Sequence, residues 1–272
     1  MVALSAAGCA GRACPTQPFH EAQNALSAYR DMRRPARVIR AEARVDRRDR
    51  EGRIRGTVRM IIQRPDRVRF DAMTQFGPAA TLTSDGAFFA LTDKRENVFL
   101  EGPTCPANIE RLLGLRFAAS EVTRLLLGES PRIEAQSESL ACHGGTYRMT
   151  RVARDGSRQE IDLEVRPADL EGPPAEQRLR LRRSEVFGPD GATRWRVTYG
   201  DYRFLEDPAD AEEPKRGVVL PFTVRFEDPR RGVDTLVSFR WIELNPVDRP
   251  VRPEDFTQRP DPGLTRRTVP CD

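Results

Sequence analysis

The chain has 272 residues, 38% hydrophobic and 32% charged, with a formal net charge of +4. This length supports one large domain or two small ones around a substantial core, and the patterning of the apolar residues excludes a disordered chain. Arginine and acidic residues are interspersed, and lysine occurs only at Lys94 and Lys215; this argues against a nucleic-acid surface, and no apolar run approaches the ~18–20 residues of a membrane-spanning helix.

The chain opens with small residues, Ala6, Ala7 and Gly8, directly before Cys9. This resembles a bacterial lipobox, in which a signal peptidase cuts before a lipid-bearing cysteine and the small residues fit its narrow groove. The apolar run Val2–Ala7 is short and no basic segment precedes it. The expectation is a tether over residues 1–16, lipid attached at Cys9, and anchoring at the periplasmic face of the outer membrane. Cys14, Cys105, Cys142 and Cys271 remain, an even number that an exported protein can oxidise. Three pairings are open; Cys14 with Cys271 ties the termini, and Cys105 with Cys142 braces the middle. No Cys-x-x-Cys occurs and the only histidines are His20 and His143, so no metal site is expected.

Pro18–Met32 reads as a helix, with Phe19, Ala22, Leu26 and Tyr29 on one face and Pro35 as its stop. From Val38 the period changes to two. Strands are predicted from Val38, over Gly56–Gln63, through Val68, Phe70 and Ala72, over Ala79–Thr83 and Ala87–Thr92, and at Asn97–Leu100. Two apolar helices follow, one opened by Pro106 and carrying Ile109, Leu112 and Leu113, the other capped by Ser120 and carrying Val122, Leu125, Leu126 and Leu127. Six more strands are predicted, Tyr147–Val152, Glu160–Val165, Leu179–Val186, Arg194–Phe204, Val218–Phe226 and Asp234–Leu244, with turns at Asp155-Gly156, Gly188–Gly191 and Asp228–Gly232. The loops Glu171–Glu176 and Glu206–Lys215 are acidic and proline-rich, and residues 257–272 read as an extended tail. The fold class expected is mainly β with α: a half-open curved antiparallel sheet of about eleven strands, with helices covering its concave face.

Catalysis has no obvious seat. No Gly-x-Ser-x-Gly, Walker loop or Gly-x-Gly-x-x-Gly after a strand is present, and neither histidine has a partner pattern. The chain is read as a non-enzyme without a cofactor. The apolar inventory carries more. Val58, Met60, Ile62, Phe70, Leu82, Phe89, Leu91, Leu112, Leu113, Val122, Leu125 and Leu126 are placed between sheet and helices, where a gap with few fixed polar groups suits acyl chains.

Three blocks in order carry a family resemblance: Val68–Pro78 with Ala79–Thr83; Leu112–Leu115 with Glu121–Pro131; and Trp195–Tyr202 with Leu220-Pro221 and Trp241 downstream. Together with the lipobox-like cysteine, they resemble the LolA/LolB-like superfamily of periplasmic lipoprotein carriers and outer-membrane lipoprotein receptors, over most of Pro18–Asn245. The resemblance implies one lipid-binding domain over residues 17–256, with acyl chains held between sheet and helices. It implies acylated lipoproteins or phospholipid acyl chains as ligands, a periplasmic carrier as candidate donor, and the inner leaflet of the outer membrane as destination. It also implies a membrane-inserting apolar residue on the loop after the third strand, which is Phe76 here. A monomer is expected. The cysteines, the acidic insert and the tail after Asn245 depart from the family pattern. The alternative is an envelope lipoprotein of the same fold with a filled core, acting as a structural or protein-interaction module.

Overall fold

The computed structural model describes residues 13–208, 210 and 216–271; Cys9 lies outside them. After helix α1 (Ala22–Asp31), six strands form an antiparallel meander: β1 (Val38–Asp49), β2 (Gly52–Gln63), β3 (Arg67–Thr74), β4 (Gly77–Ser84), β5 (Phe88–Asp93) and β6 (Val98–Pro103). The chain then crosses the whole sheet through α2 (Pro106–Leu113) and α3 (Ala119–Leu126). A second meander starts at the far edge: β7 (Ser137–His143), β8 (Thr146–Val152), β9 (Arg158–Val165), β10 (Leu179–Phe187), β11 (Thr193–Glu206), β12 (Gly217–Asp228) and β13 (Val233–Leu244). It works back until β13 pairs with β1. Finally β14 (Thr265–Thr268) adds parallel to β6. The result is one open sheet of 14 strands, with β14 and β7 as its edges.

The expected count of about eleven strands is therefore corrected. Two of the strands, β7 and β14, carry almost no apolar signal. Only Leu140 is a large apolar residue in β7, and β14 reads Thr-Arg-Arg-Thr with every residue exposed. Their existence rests on backbone pairing with a neighbour already in place.

Alternation decides which face is inside. Ile39, Ala41, Ala43 and Val45 of β1 face inward beside Val58, Met60 and Ile62 of β2, and the pattern continues through Phe70, Leu82 and Leu91. In the second meander Tyr147, Met149, Ile161, Leu163, Leu181, Val197 and Val224 do the same. All belong to one continuous core with the helices. A sheet of this many strands curls, and curling is what lets three short helices cover both meanders.

The outer face is covered in two ways. Over β3–β6 lies the C-terminal segment. Gln258 donates from Nε2 to the Thr81 carbonyl at 3.0 Å and the Ala90 carbonyl at 3.0 Å, and Arg69 donates to the Asp255 carbonyl at 3.3 Å. Phe256 and Phe99 are buried on this side. The segment read as a tail thus docks onto the sheet before it supplies β14. Over β8–β11 lies a ladder of ion pairs: Arg148 with Asp162, Asp162 with Arg183, and Glu185 with Arg196 across strands, linked along β10 by Arg183 with Glu185. This ladder accounts for the mixed charge of the sequence: the charged positions alternate with the apolar ones along each strand.

Glu185 is the buried member. Burial alone would raise its carboxyl pKa, but hydrogen bonds from Arg196 and Thr193 and the charges of Arg196 and Arg183 bring it below the ordinary glutamate value. A carboxylate with a depressed folded pKa stabilises the fold above its unfolded pKa of about 4.3, and that contribution disappears as pH falls through the folded value. Glu185→Gln is expected to cost about 2 kcal/mol at pH 7, in line with charge-assisted hydrogen bonds. The difference from the parent should shrink below about pH 4, as read by urea unfolding across pH; a pH-independent difference would refute the assignment.

The two disulfides are Cys14–Cys142 and Cys105–Cys271. This corrects the pairing of Cys14 with Cys271 and of Cys105 with Cys142. Each bond joins a chain end to a sheet edge: the N-terminal segment to β7, and the segment after β14 to the start of α2. The sequence could not choose because the edge positions of β7 and β14 were themselves hidden.

Candidate functional site

The interior between sheet and helices is built from the expected residues. Val58, Met60, Ile62, Phe70, Leu82, Phe89, Leu91, Leu113, Val122, Leu125 and Leu126 are each at most 6% exposed, and Leu112 packs half-buried against them. They are brought together, but as a closed core. Side chains with almost no accessible surface touch other side chains on all sides, so in this state they do not wall a void.

The two layers are tied very differently. The sheet is held by continuous backbone ladders. The helices are held to it by side chains. Gln23 of α1 reaches Glu138 of β7 at 2.9 Å and Thr235 of β13 donates to the Leu113 carbonyl at 3.2 Å, while the Tyr29 hydroxyl ties α1 to the chain after α3 at the Gly128 carbonyl. Phe117, between α2 and α3, meets Trp195 and Phe226 edge-on at 5.5 and 5.3 Å. Lifting a helix therefore breaks packing and a few side-chain bonds while leaving the sheet intact. Ser120 is not the cap of α3: the helix begins at Ala119, and the Glu121 carboxylate accepts the Ala118 N–H at 3.0 Å.

Phe76 stands at the tip of the β3–β4 turn and is 90% exposed. The turn is held open by Thr74, whose Oγ1 donates to the Gly77 carbonyl at 2.7 Å and accepts from the Phe76 N–H at 3.2 Å. Gly77 has φ +110°, a conformation that other residues rarely take. The β2–β3 register places Thr57 opposite Met73, so the exposed Ile54 of the β1–β2 hairpin lies at the same end of the sheet.

Where α1 ends, a cleft of about 380 Å³ opens between α1, the end of β2 and the chain around α3. Arg30, Arg34, Arg64, Arg124 and Arg132 line it, with Asp31 and Glu129. It shares Arg30, Arg124, Glu129 and Arg132 with a narrow slot of about 20 Å³ that runs inward past Leu26, Tyr29, Ile161, Leu163 and Leu181. A slot of this size holds about one water-sized probe. Arg33 lies beneath: it is 1% exposed, its guanidinium stacks 3.7 Å over the Tyr29 ring, and its Nε and Nη2 have no hydrogen-bond partner. Around it burial pushes the Tyr29 and Tyr199 hydroxyls well above their ordinary range and Tyr202 up to about 12.

His20 and His143 are both exposed; His20 precedes α1 and His143 ends β7. Among the described residues no three His, Cys, Asp or Glu side chains gather as metal ligands, and no helix is long and apolar enough to cross a membrane.

No family model and no curated protein matches the sequence. Solved structures do match. A DUF1329 family protein of Desulfovibrio piger aligns over 84% of this chain and 94% of its own, at 11% identity and TM-score 0.50. The half-open antiparallel sheet with helices on its inner face, which the resemblance implied, is the architecture observed. The fold is shared with this solved structure. A LolA superfamily protein of Nitrosomonas europaea aligns over 89% of this chain and 99% of its own, at 12% identity and TM-score 0.48. A putative outer membrane lipoprotein-sorting protein domain of Vibrio parahaemolyticus covers 82% and 93%, at 10% identity and TM-score 0.42. At these identities the likeness is one of fold.

Proposed function

We propose that the protein is an envelope lipoprotein that takes acyl chains of lipids or lipoproteins between sheet and helices and helps deliver acylated cargo to the outer membrane. Residues 1–16 act as the tether with lipid on Cys9, and residues 17–256 as the lipid-binding domain. No catalytic step is required. The observation that carries the reading is Phe76, an aromatic ring held in water by a glycine turn at one end of the sheet. Exposure of such a ring is unfavourable in water and favourable at a bilayer. The side-chain attachment of the helices supports it, because acyl chains need an interior that opens without unfolding the sheet.

The test compares wild type and Phe76→Glu for uptake of an acylated lipoprotein and its transfer to vesicles. The side chain touches little, so stability should stay within about 0.5 kcal/mol. Uptake should be retained. Delivery should fall roughly ten- to a hundredfold, the equivalent of losing about 1.5–3 kcal/mol of phenylalanine burial in the bilayer. Equal delivery by both proteins would sink the reading.

One observation favours the alternative, a structural or protein-interaction lipoprotein: the interior is filled. Under that reading, protein isolated from its own envelope carries no acyl lipid beyond the one covalently attached in native mass spectrometry, and copurifies with a protein partner in fixed ratio.

A further inference from the structure

We propose that the arginine-lined cleft at the end of α1 is a headgroup site for a phosphate-bearing glycerolipid, one of whose acyl chains follows the apolar side chains beneath it when α1 lifts from the sheet. This rests on the acyl-binding reading above and adds a class of ligand to it.

Arginines on the sheet of this chain typically face a carboxylate on the neighbouring strand, as in the ladder over β8–β11. The cleft breaks that rule. Arg64 takes the Glu129 carboxylate, and Arg30 donates to the Ser27 hydroxyl at 3.1 Å. Arg34, Arg124 and Arg132 have no carboxylate within ion-pairing distance among the described residues. Five guanidinium groups against Asp31 and Glu129 leave the cleft with a net positive charge. They come from α1, the turn after it, the end of β2, α3 and the chain beyond α3, so tertiary structure gathers them.

The repulsion is felt. Burial, and then the charges of Arg30, Arg151 and Arg124, lower the pKa of Arg132, with Glu129 opposing. Beneath the cleft, Arg33 is a second unbalanced cation, buried beside the Tyr29 ring that walls the slot. Convergent cations of this kind are stabilised by an anion that offers several oxygens at once, and guanidinium forks match phosphate geometry bidentately. A free phosphate would need only the rim. The slot that opens from the same four residues is too small for a chain while α1 is seated, but it marks the apolar seam between α1 and Ile161, Leu163 and Leu181 along which a chain would lie once the helix lifts. A diacylglyceryl thioether, the lipid of a lipoprotein, carries no charge that the arginines would recognise, so the cleft separates the two classes of cargo.

The test uses the full chain and three short-chain probes below their aggregation concentrations: dihexanoyl phosphatidic acid, dihexanoylglycerol and inorganic phosphate. Binding is measured for wild type and for Arg124→Gln/Arg132→Gln. Wild type should bind the phosphatidic acid at least tenfold more tightly than dihexanoylglycerol, and inorganic phosphate far more weakly than either. The variant should lose the tenfold preference while its affinity for dihexanoylglycerol stays unchanged. Its thermal midpoint should stay level or rise, because like-charge repulsion is removed, so a folding defect would be visible as such. Equal affinity of variant and parent for phosphatidic acid overturns the headgroup site, as does inorganic phosphate binding as tightly as the lipid. In both cases the acyl-binding reading stands if dihexanoylglycerol binds. Failure of both lipids to bind wild type removes that reading and the headgroup site with it.

Discussion

The Cys105→Ser/Cys271→Ser variant is expected to unfold about 4–5 kcal/mol more easily than the parent and to release β14 from the sheet. The bond closes a loop with a sequence separation of 166. Constraining an unfolded chain over that distance is worth about 4–5 kcal/mol in the loop-entropy account. The local structure offers little to replace it. All four residues of β14 are exposed, so the strand is held by backbone pairing to Val98–Glu101 of β6 and by the chain that follows it. Cys271 sits just after that strand, and Cys105 immediately precedes α2. Urea unfolding with hydrogen exchange is the measurement. The midpoint should drop sharply and amides of β14 should lose protection while those of β1 and β2 keep it. An unchanged midpoint in the variant, or in the parent under reductant, would show that the bond contributes nothing to the folded state. The Cys14–Cys142 bond, with a separation of 128, should contribute nearly as much. Its loss should be partly cushioned, because the N-terminal segment is also held by the Tyr147 hydroxyl, which accepts the Phe19 N–H at 3.0 Å, and by the Gln17 carbonyl, which accepts from Gln177 at 2.7 Å.

The second large effect is at Leu126. With Leu126 read from the sequence as lining an acyl cavity, Leu126→Arg would abolish uptake. The side chain is fully buried in a closed core, which changes the expectation. The substitution removes a packed leucine, worth about 2–5 kcal/mol when truncated to alanine, and adds a charge with no partner in the surrounding core cluster. A loss of more than about 4 kcal/mol is expected, read as a collapse of the thermal midpoint and exposure of α3 to protease. A Leu126→Arg protein that folds normally would mean that the helical layer opens freely in solution. A polar substitution here is therefore a test of folding, and uptake is better tested at the cleft.

Most of the sheet is legible in the sequence because alternation is local. Val58, Met60 and Ile62 announce their face two residues at a time, and so do Ile161, Leu163 and Val165. The strands that escape are those with nothing to bury: β14 has no apolar residue, and β7 presents Glu138, Leu140 and Cys142 to its half-buried face. The same distinction divides the site. Which residues point inward is set by period, so the burial of Val58, Met60, Ile62, Phe70 and Leu82 follows from the alternation. Whether they enclose a space depends on how volumes from distant strands and helices add up, and no short window contains that sum. Phe76 is visible as an aromatic in a turn, yet its exposure is settled by Thr74 and Gly77 beneath it. The arginine cleft is invisible in the sequence for a different reason. Arginine is everywhere in this chain, and only the fold shows which ones lack a carboxylate.

The crossover that carries α2 and α3 leaves the sheet at β6 and rejoins it at β7. One end is fastened by Cys105 to the β14 side, and the other runs straight into a strand bonded to Cys14. The arrangement is that of a bow and its string: a stiff curved body, with a flexible span of set length tied to both limbs. Volume forced under the string must either bend the limbs apart or lift the string. The distance between the two outermost strands then becomes a gauge of how much the interior holds.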